Sequence, residues 1–495
     1  MIWAITHNQR PINLNEIPCL PYPELREGIM EQVTRCHRRP INWLAVPEND
    51  IYRFYAVLAD DESSRLQVAS CLMTNTAYSG LTADIPAFHG FEREIYEQYG
   101  IKPINHPWLK PWRYPFDRKN RNEGLTAYPF FEPHGEGIHQ VAVGPIHAGV
   151  IEPGHFRFMC RGEMVHHLEI QLGYQHRGVE HLIDQGHRNQ RNMIHLAESI
   201  CGDSVIGHGT AYAGVLESLS GRIPDRRDMA MRSIALELER IGIHIGDLSA
   251  IANDIAYLLG NAVFGALRTL VINTSLALCG SRFGRGLIRI GYNAHQPSSQ
   301  WLEHIDRMLT KVDRDFSLMA ETMLSAPSVL SRLEKTGILS MDDAQALGMT
   351  GPAARASGLA VDCRCDHPFG WYKTTPIYKI KLAGGDVFAR TYIRYIEIKQ
   401  SIDYIRNLLI QLPERNRPVE PDRPTAGLPA LQPSMMVISM VEGWRGEICH
   451  IGLTDPSGCL NHYKIKEPSF HNWHGLALAV RENGISDFPL CNKSF

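Results

Sequence analysis

Apolar residues recur at helical spacing over residues 24–37, where Leu25, Ile29 and Val33 fall on one stripe. Two apolar-rich runs follow at 43–46 and 51–58, and a third at 66–72. Polar turns around Pro47 and Asp60 separate them, which predicts strands of a small α/β unit. A short helix is expected at 91–99, with Gly100 placed to end it. A turn dense in Gly and Pro begins at Gly144 and leads to a predicted hairpin, 156–163 and 164–170, around Gly162. Beyond it the period becomes helical. Residues 225–258 form a long amphipathic run with Ile234, Leu238, Ile241 and Ile245 on one stripe. Residues 261–289, 297–324 and 386–412 predict three more helices, and 435–439 and 447–453 two strands. The expected fold class is α+β, a small α/β domain followed by a mainly helical bundle with small sheet elements.

Composition narrows the function classes. The chain has 495 residues, 44% hydrophobic and 21% charged, as a globular protein does. A formal net charge of -3 gives no basic footprint for nucleic acid. The 11 cysteines are scattered and no Cys-x-x-Cys occurs, which excludes a disulfide framework or an iron–sulfur ladder and points to a reducing compartment. No Gly-x-Gly-x-x-Gly or phosphate loop appears. The N-terminus lacks the basic start and long apolar run of a signal peptide. The most apolar window, 261–279, is interrupted by Arg268 and Asn273 and reads as a buried helix rather than a spanning one. Any membrane tie is therefore expected to come through partner subunits.

The stretch 199–208 holds Cys201, Ser204 and His208. Cys at both of the first two positions would be half of a metal site, because two thiolates at that spacing turn back onto one soft metal. A serine hydroxyl at 204 carries no thiolate charge and is a poor ligand for such a metal. Upstream, residues 101–115 form a proline-stiffened arm with Trp108, Trp112 and Tyr114. Two readings stand: an arm packed on its own domain, or one docked on a partner subunit.

The helix and arm together, residues 91–115, resemble the signature of the 30-kDa subunit of respiratory complex I: an acidic-Arg-Glu helix, a Gly, His-Pro and a Trp/Pro-rich tail. In that family the domain docks and carries no redox centre. Residues 138–495 resemble the large subunit of [NiFe]-hydrogenases and its relative, the 49-kDa subunit of complex I. The segments that carry this include Gly144-Pro-Ile-His, Glu152-Pro-Gly-His-Phe-Arg, His176-Arg-Gly-Val-Glu, Gly385-Asp-Val-Phe-Ala-Arg, Glu442-Gly-Trp-Arg-Gly-Glu and Lys466-Glu-Pro-Ser-Phe-His-Asn-Trp. Fused in this order, the modules resemble the large subunit of membrane-bound group 4 hydrogenases of the formate hydrogenlyase type. The implied boundaries are a docking domain at 1–125, a linker at 126–137 and a hydrogenase-like domain at 138–495.

The resemblance also assigns roles. Cys201 and Ser204 fall on the first pair of nickel-binding cysteines, and the second pair is expected beyond Phe495, so a Ni–Fe centre is not expected. Glu152 falls on a proton-relay acid, His155 near a quinone-binding His, and Arg445 on an Arg that overhangs the metal site. These three are the catalytic candidates. His147, Glu180 and His208 are the cofactor-binding candidates, and Cys201 the residual metal candidate. The family implies an iron–sulfur small subunit that carries the clusters, antiporter-like membrane subunits and other peripheral complex I-like subunits, on the cytoplasmic face of the inner membrane. The expected function is a large subunit of a hydrogenase-related oxidoreductase complex that couples electron transfer to ion translocation without Ni–Fe. The alternatives are a quinone-reducing subunit, a structural or coupling subunit without chemistry of its own, and an active group 4 hydrogenase.

Overall fold

Strands Arg39–Glu48, Ile51–Asp60 and Arg65–Met73 form an antiparallel meander, with the short strand Ala4–Thr6 paired to its far edge. The computed structural model describes residues 3–119, 124–147, 152–189, 191–412 and 428–495. Successive side chains of a strand point to opposite faces. One face, with Trp43, Ala45, Phe54 and Ala56, packs on the helices Tyr22–Thr34 and His89–Tyr99. The other face, with Leu44, Val46, Tyr55 and Val57, joins the core of the rest of the chain. Burial on both faces explains why these strands read as continuous apolar runs.

The two modules are woven together. Strand Ile12–Asn13 adds an edge to the C-terminal sheet, pairing with Met436 and Met435 beside Met435–Glu442, Glu447–Thr454 and Leu460–Lys466. Arg39 forms an ion pair with Glu447 at 2.8 Å across the seam, and Asp61 meets His367 at 2.9 Å. The aromatic arm packs on its own chain, and on both modules of it. Arg93 holds the Lys110 and Pro111 carbonyls at 2.8 Å and lies over Trp112, while Glu97 accepts the amides of Arg113 and Tyr114. From the second module, Glu169 pairs with Lys110, and Glu180 with Arg113 at 2.7 Å. Trp108 meets the rings of His167 and His474. The expected linker, residues 126–137, is described throughout; there Phe131 donates its amide to Glu169 at 2.7 Å.

The second module opens on the antiparallel strands Ile138–Val143, His155–Arg161 and Met164–Gln171. Its bundle is built on the central helix Arg226–Asp254, with Leu258–Cys279 and Val387–Gln411 packed on it and Ser299–Leu324 beyond. The expectation for residues 261–289 needs two corrections. The helix stops at Cys279 because Gly280 takes a left-handed φ of 74°. It is not a buried helix either: Leu258, Leu259 and Leu276 are exposed, because an outer member of a bundle shows one side outward. By length and composition alone it would suffice to cross a membrane, yet its other side packs Phe264 on Phe316, and Thr274 accepts from the Trp301 indole at 2.9 Å.

Between the central helix and Val387–Gln411 lies a fully buried charged cluster. Four carboxylates, Glu237, Asp362, Glu397 and Glu442, meet three guanidiniums, Arg240, Arg355 and Arg364. Tyr372 and Ser401 also donate to Glu237. Such density is tolerated only where nearly every lone pair finds a donor.

Helix Val205–Ser220 lies on the C-terminal sheet and is buried almost all round, which is why it lacks an amphipathic stripe and was not anticipated. Its close approach needs two bare positions. A Cβ on Gly207 would come within 2.7 Å of Ile448, and one on Gly452 within 2.6 Å of Val215.

Candidate functional site

Cys201 lies in the turn that leads into this helix, with Ser204 as the residue before its first turn. The half-buried thiol donates to Asp203 Oδ1 at 2.8 Å. Arg445 Nη1 stands 3.7 Å from the sulfur and pairs with Glu467 at 3.0 Å and with Asp203 at 3.5 Å. Its guanidinium lies 4.1 Å over the Trp444 ring, whose indole donates to the Asp203 carbonyl at 2.9 Å. Arg240 fixes the turn that carries both residues, donating to the Glu442 and Gly443 carbonyls at 2.7 and 2.9 Å. From the central helix, Glu239 accepts the amides of Ile206 and Gly207 at 2.7 and 3.2 Å and so caps the Cys201 helix. A cavity of about 20 Å³ beside it, lined by Ile206, Glu239 and Cys279, is large enough for about one water.

Electrostatically the site is short of positive charge. Burial pushes the Cys201 thiol up, and Asp203 and Glu467 add to that against the opposing pull of Arg445. Burial raises Glu467 as well. Glu239 is pushed up to about 8, by burial first and by the Asp203 charge, although two helix amides pull the other way. Burial alone would lower Arg445, but Glu467, Cys201 and Asp203 keep it firmly protonated. This arrangement holds protons near neutrality on a carboxyl and a thiol around one fixed cation.

The sequence candidates scatter. Arg445 and Cys201 meet, as described. His208, one turn into the helix, is fully buried and bonds His450 through Nδ1 at 3.0 Å. Glu152 is exposed. His155 is buried, held by the Gly144 carbonyl at 3.2 Å and against the Phe130 ring; burial lowers its pKa. His147 bonds the Gly154 carbonyl at 2.8 Å, so these two histidines brace one turn. Residues 148–151 lie outside the described residues. Glu180 bonds Arg113, Lys464 and the Ile465 amide and shares none of these partners with Cys201. Arg113 and Lys464 hold it well below the usual carboxylate range against the opposite effect of burial. Asp203, Glu239 and Glu467 were missed. The available signal was acid placement: Asp203 sits two residues past Cys201, and Glu467 lies inside a recognised segment.

A four-thiolate Ni–Fe set does not fit these residues. One thiol stands at the site, and its neighbour position is a hydroxyl. Among the described residues no group of three His, Cys, Asp or Glu is arranged to hold a metal ion.

Comparison with known proteins places the fold. Residues 260–495 match the family described as respiratory-chain NADH dehydrogenase, 49 Kd subunit. Formate hydrogenlyase subunit 5 of Escherichia coli (strain K12) is 27% identical over 464 residues, covering 89% of this chain and 80% of that protein. The membrane-bound hydrogenase subunit alpha of Pyrococcus furiosus is 28% identical over 366 residues, covering 72% of this chain and 85% of its own length. In the solved structure of the membrane-bound sulfane sulfur reductase, an archaeal respiratory membrane complex, one chain shares the fold with a TM-score of 0.64 at 21% identity. That match covers 73% of this chain and 97% of the other. Residues 260–495 thus carry the 49 Kd subunit domain, and the chain is a homologue of the large subunits of membrane-bound hydrogenase and complex I-like complexes.

Proposed function

We propose that this chain is the large subunit of a membrane-associated, hydrogenase-related oxidoreductase complex that couples electron transfer to ion translocation, and that its Cys201 pocket works by proton and charge rearrangement rather than through a Ni–Fe centre. The observation that carries the reading is Ser204: a hydroxyl stands where a second thiolate would, beside a thiol whose neighbour Arg445 is shared between Glu467 and Asp203. With Glu239 pushed up to about 8, the pocket exchanges a proton within the neutral range, which suits a coupling element. The redox centres then belong to an iron–sulfur small subunit, and the ion path to antiporter-like membrane subunits. The cytoplasmic face of the membrane is the expected location, and 1–125, 126–137 and 138–495 are the proposed docking domain, linker and hydrogenase-like domain.

The quinone reading has less support. The cavity beside the Cys201 helix admits about one water, far less than a quinone headgroup needs. His155 is closed in by Phe130 and the Gly144 turn.

Nickel and iron per copy of this chain, measured on the intact purified complex, test the reading. Nickel near one per chain overturns it. Nickel at background, with iron accounted for by the clusters of the small subunit, supports it.

A further inference from the structure

We propose that the outer face of helix Leu258–Cys279, with the arginine-bearing turn after it, is the docking surface for a companion protein subunit that presents an apolar surface rimmed by carboxylates. Leu258, Leu259, Ala262, Ala266, Asn273 and Leu276 are all exposed. At about 100° per residue these positions fall within one arc of about 100°, so they form a single stripe about 27 Å long. Its three leucines are 65%, 60% and 40% exposed. Lined up on one helix they make a contiguous apolar patch, which marks a contact site where scattered leucines would not. The opposite side of the helix is already committed to Phe316 and Trp301, so the chain cannot turn the stripe inward without losing that packing.

The charge beside this face is of one sign. Between Asp254 and Glu303 the sequence holds four arginines and no carboxylate. No charged residue lies on the stripe itself; Arg268 is the helix's one charge and is half-buried at its flank. Arg268 and Arg282 each lie 5.9 Å from the Phe283 ring, which gathers two like charges beside the stripe, and the exposed Arg285 follows three residues on. Among the described residues none of these three arginines forms an ion pair. Buried Glu198 holds the Gly286 amide at 2.9 Å and is not an ion-pair partner of any of them. Guanidiniums left open at the edge of an apolar patch are matched by carboxylates on whatever covers it.

Two other occupants fit less well. Anionic lipid would suit the arginines, but Asn273 stands in the middle of the stripe and its side chain makes no hydrogen bond among the described residues. Hydrocarbon offers that amide nothing, whereas a protein surface can pair with it. A second copy of this chain brings no acid to the arginines. In an antiparallel pair they would face the start of the helix, where Asp254 is already held by Lys493 at 2.6 Å. A parallel pair would set arginine against arginine.

The inference rests on the reading of this chain as one subunit of a complex, and names the surface a companion occupies. The intact complex is purified with p-benzoylphenylalanine in place of Leu259 or Asn273, irradiated, and the attached peptides are identified by mass spectrometry. Both positions are exposed, so neither replacement disturbs the packed side of the helix. Both should attach to the same companion polypeptide, in a segment that carries Asp or Glu beside apolar residues. Attachment to lipid, to a second copy or to nothing overturns the surface. Arg282→Glu combined with Arg285→Glu should lower recovery of that companion at least about tenfold, and reversing the attached segment's carboxylates to Lys should restore it. Arg314→Glu, at an exposed position on Ser299–Leu324, should leave recovery unchanged; an equal loss there overturns the charge match. A chain that purifies without any companion overturns the subunit reading together with the surface. Companions that co-purify without attaching here overturn the surface alone.

Discussion

The chain holds two clusters of guanidinium and carboxylate that share a wall, Glu442 to Arg445, and behave differently. In the bundle cluster, Arg240, Arg355 and Arg364 meet Glu237, Asp362, Glu397 and Glu442, all essentially inaccessible. Around Cys201 one cation, Arg445, serves Asp203 and Glu467 beside a thiol, with a fifth of each ion-pair side chain still exposed to solvent or more. In the bundle cluster three guanidiniums are shared among four carboxylates, and this makes a rigid scaffold, since changing any one member leaves an ion stranded. Around Cys201 a single cation leaves the acids in wider excess, and Glu239 is raised to about 8.

The largest expected effect comes from Arg355→Leu. Arg355 reaches Glu397 and Glu442 at 2.8 Å each, and its loss strands two buried carboxylates. We expect a loss of about 3–5 kcal/mol in urea unfolding of the full chain. A loss below about 1 kcal/mol would break the contrast between the clusters. Arg445→Met should cost less, about 1–2 kcal/mol in the same measurement, because Asp203 and Glu467 retain access to water. A cost equal to that of Arg355 would make the pocket scaffold too.

Glu239 sharpens the comparison through pH. Its folded pKa is raised from 4.5 to about 8, so between those values the unfolded chain has released a proton that the folded chain keeps. Stability should therefore fall as pH rises from 4.5 to 8, and Glu239→Gln should remove that part of the slope. Unfolding midpoints for both proteins at pH 5 and pH 8 check the sign; parallel losses would refute it. The smallest effect is expected at the thiol. Asp203→Asn removes a negative neighbour that raises the Cys201 pKa and leaves a weaker, neutral acceptor in its place. Alkylation of Cys201 by iodoacetamide at pH 8, followed by peptide mass spectrometry, should quicken severalfold, and an unchanged rate would separate Asp203 from the thiol.

Much of the architecture was legible because the bundle helices carry long periodic patterns. Residues 225–258 and 386–412 became Arg226–Asp254 and Val387–Gln411, with Asp225 and Asp386 as the N-caps. The helix Val205–Ser220 was not legible, because complete burial erases the polar face that marks a helix. Strand Ile12–Asn13 is too short to signal anything before its partner, far along the chain, is known. The aromatic arm was recognised, but which surface it covers depends on Glu169, Glu180 and His474, distant residues no local pattern connects to it. At the site, spacing singled out Cys201 and Ser204 and the resemblance added Arg445. Glu239 escaped notice because one acid on a long helix is ordinarily solvated; only the docking of the Cys201 helix start onto it makes it unusual.

The pairing of Ile12 with Met436 orders events during synthesis. When the first residues leave the ribosome, the strand they must join lies about 420 codons away, which at about 5–20 residues per second is roughly 20–85 seconds of translation. Throughout that interval strand Ile12–Asn13 lacks the sheet it joins, and the sheet face carrying Leu44, Val46, Tyr55 and Val57 lacks the later part of the core that covers it. A chain of this design is a natural client for a chaperone that shields apolar surface until the last third has been made. Splitting the two modules into separate polypeptides would turn one folding reaction into an assembly reaction, dependent on the concentration of both halves.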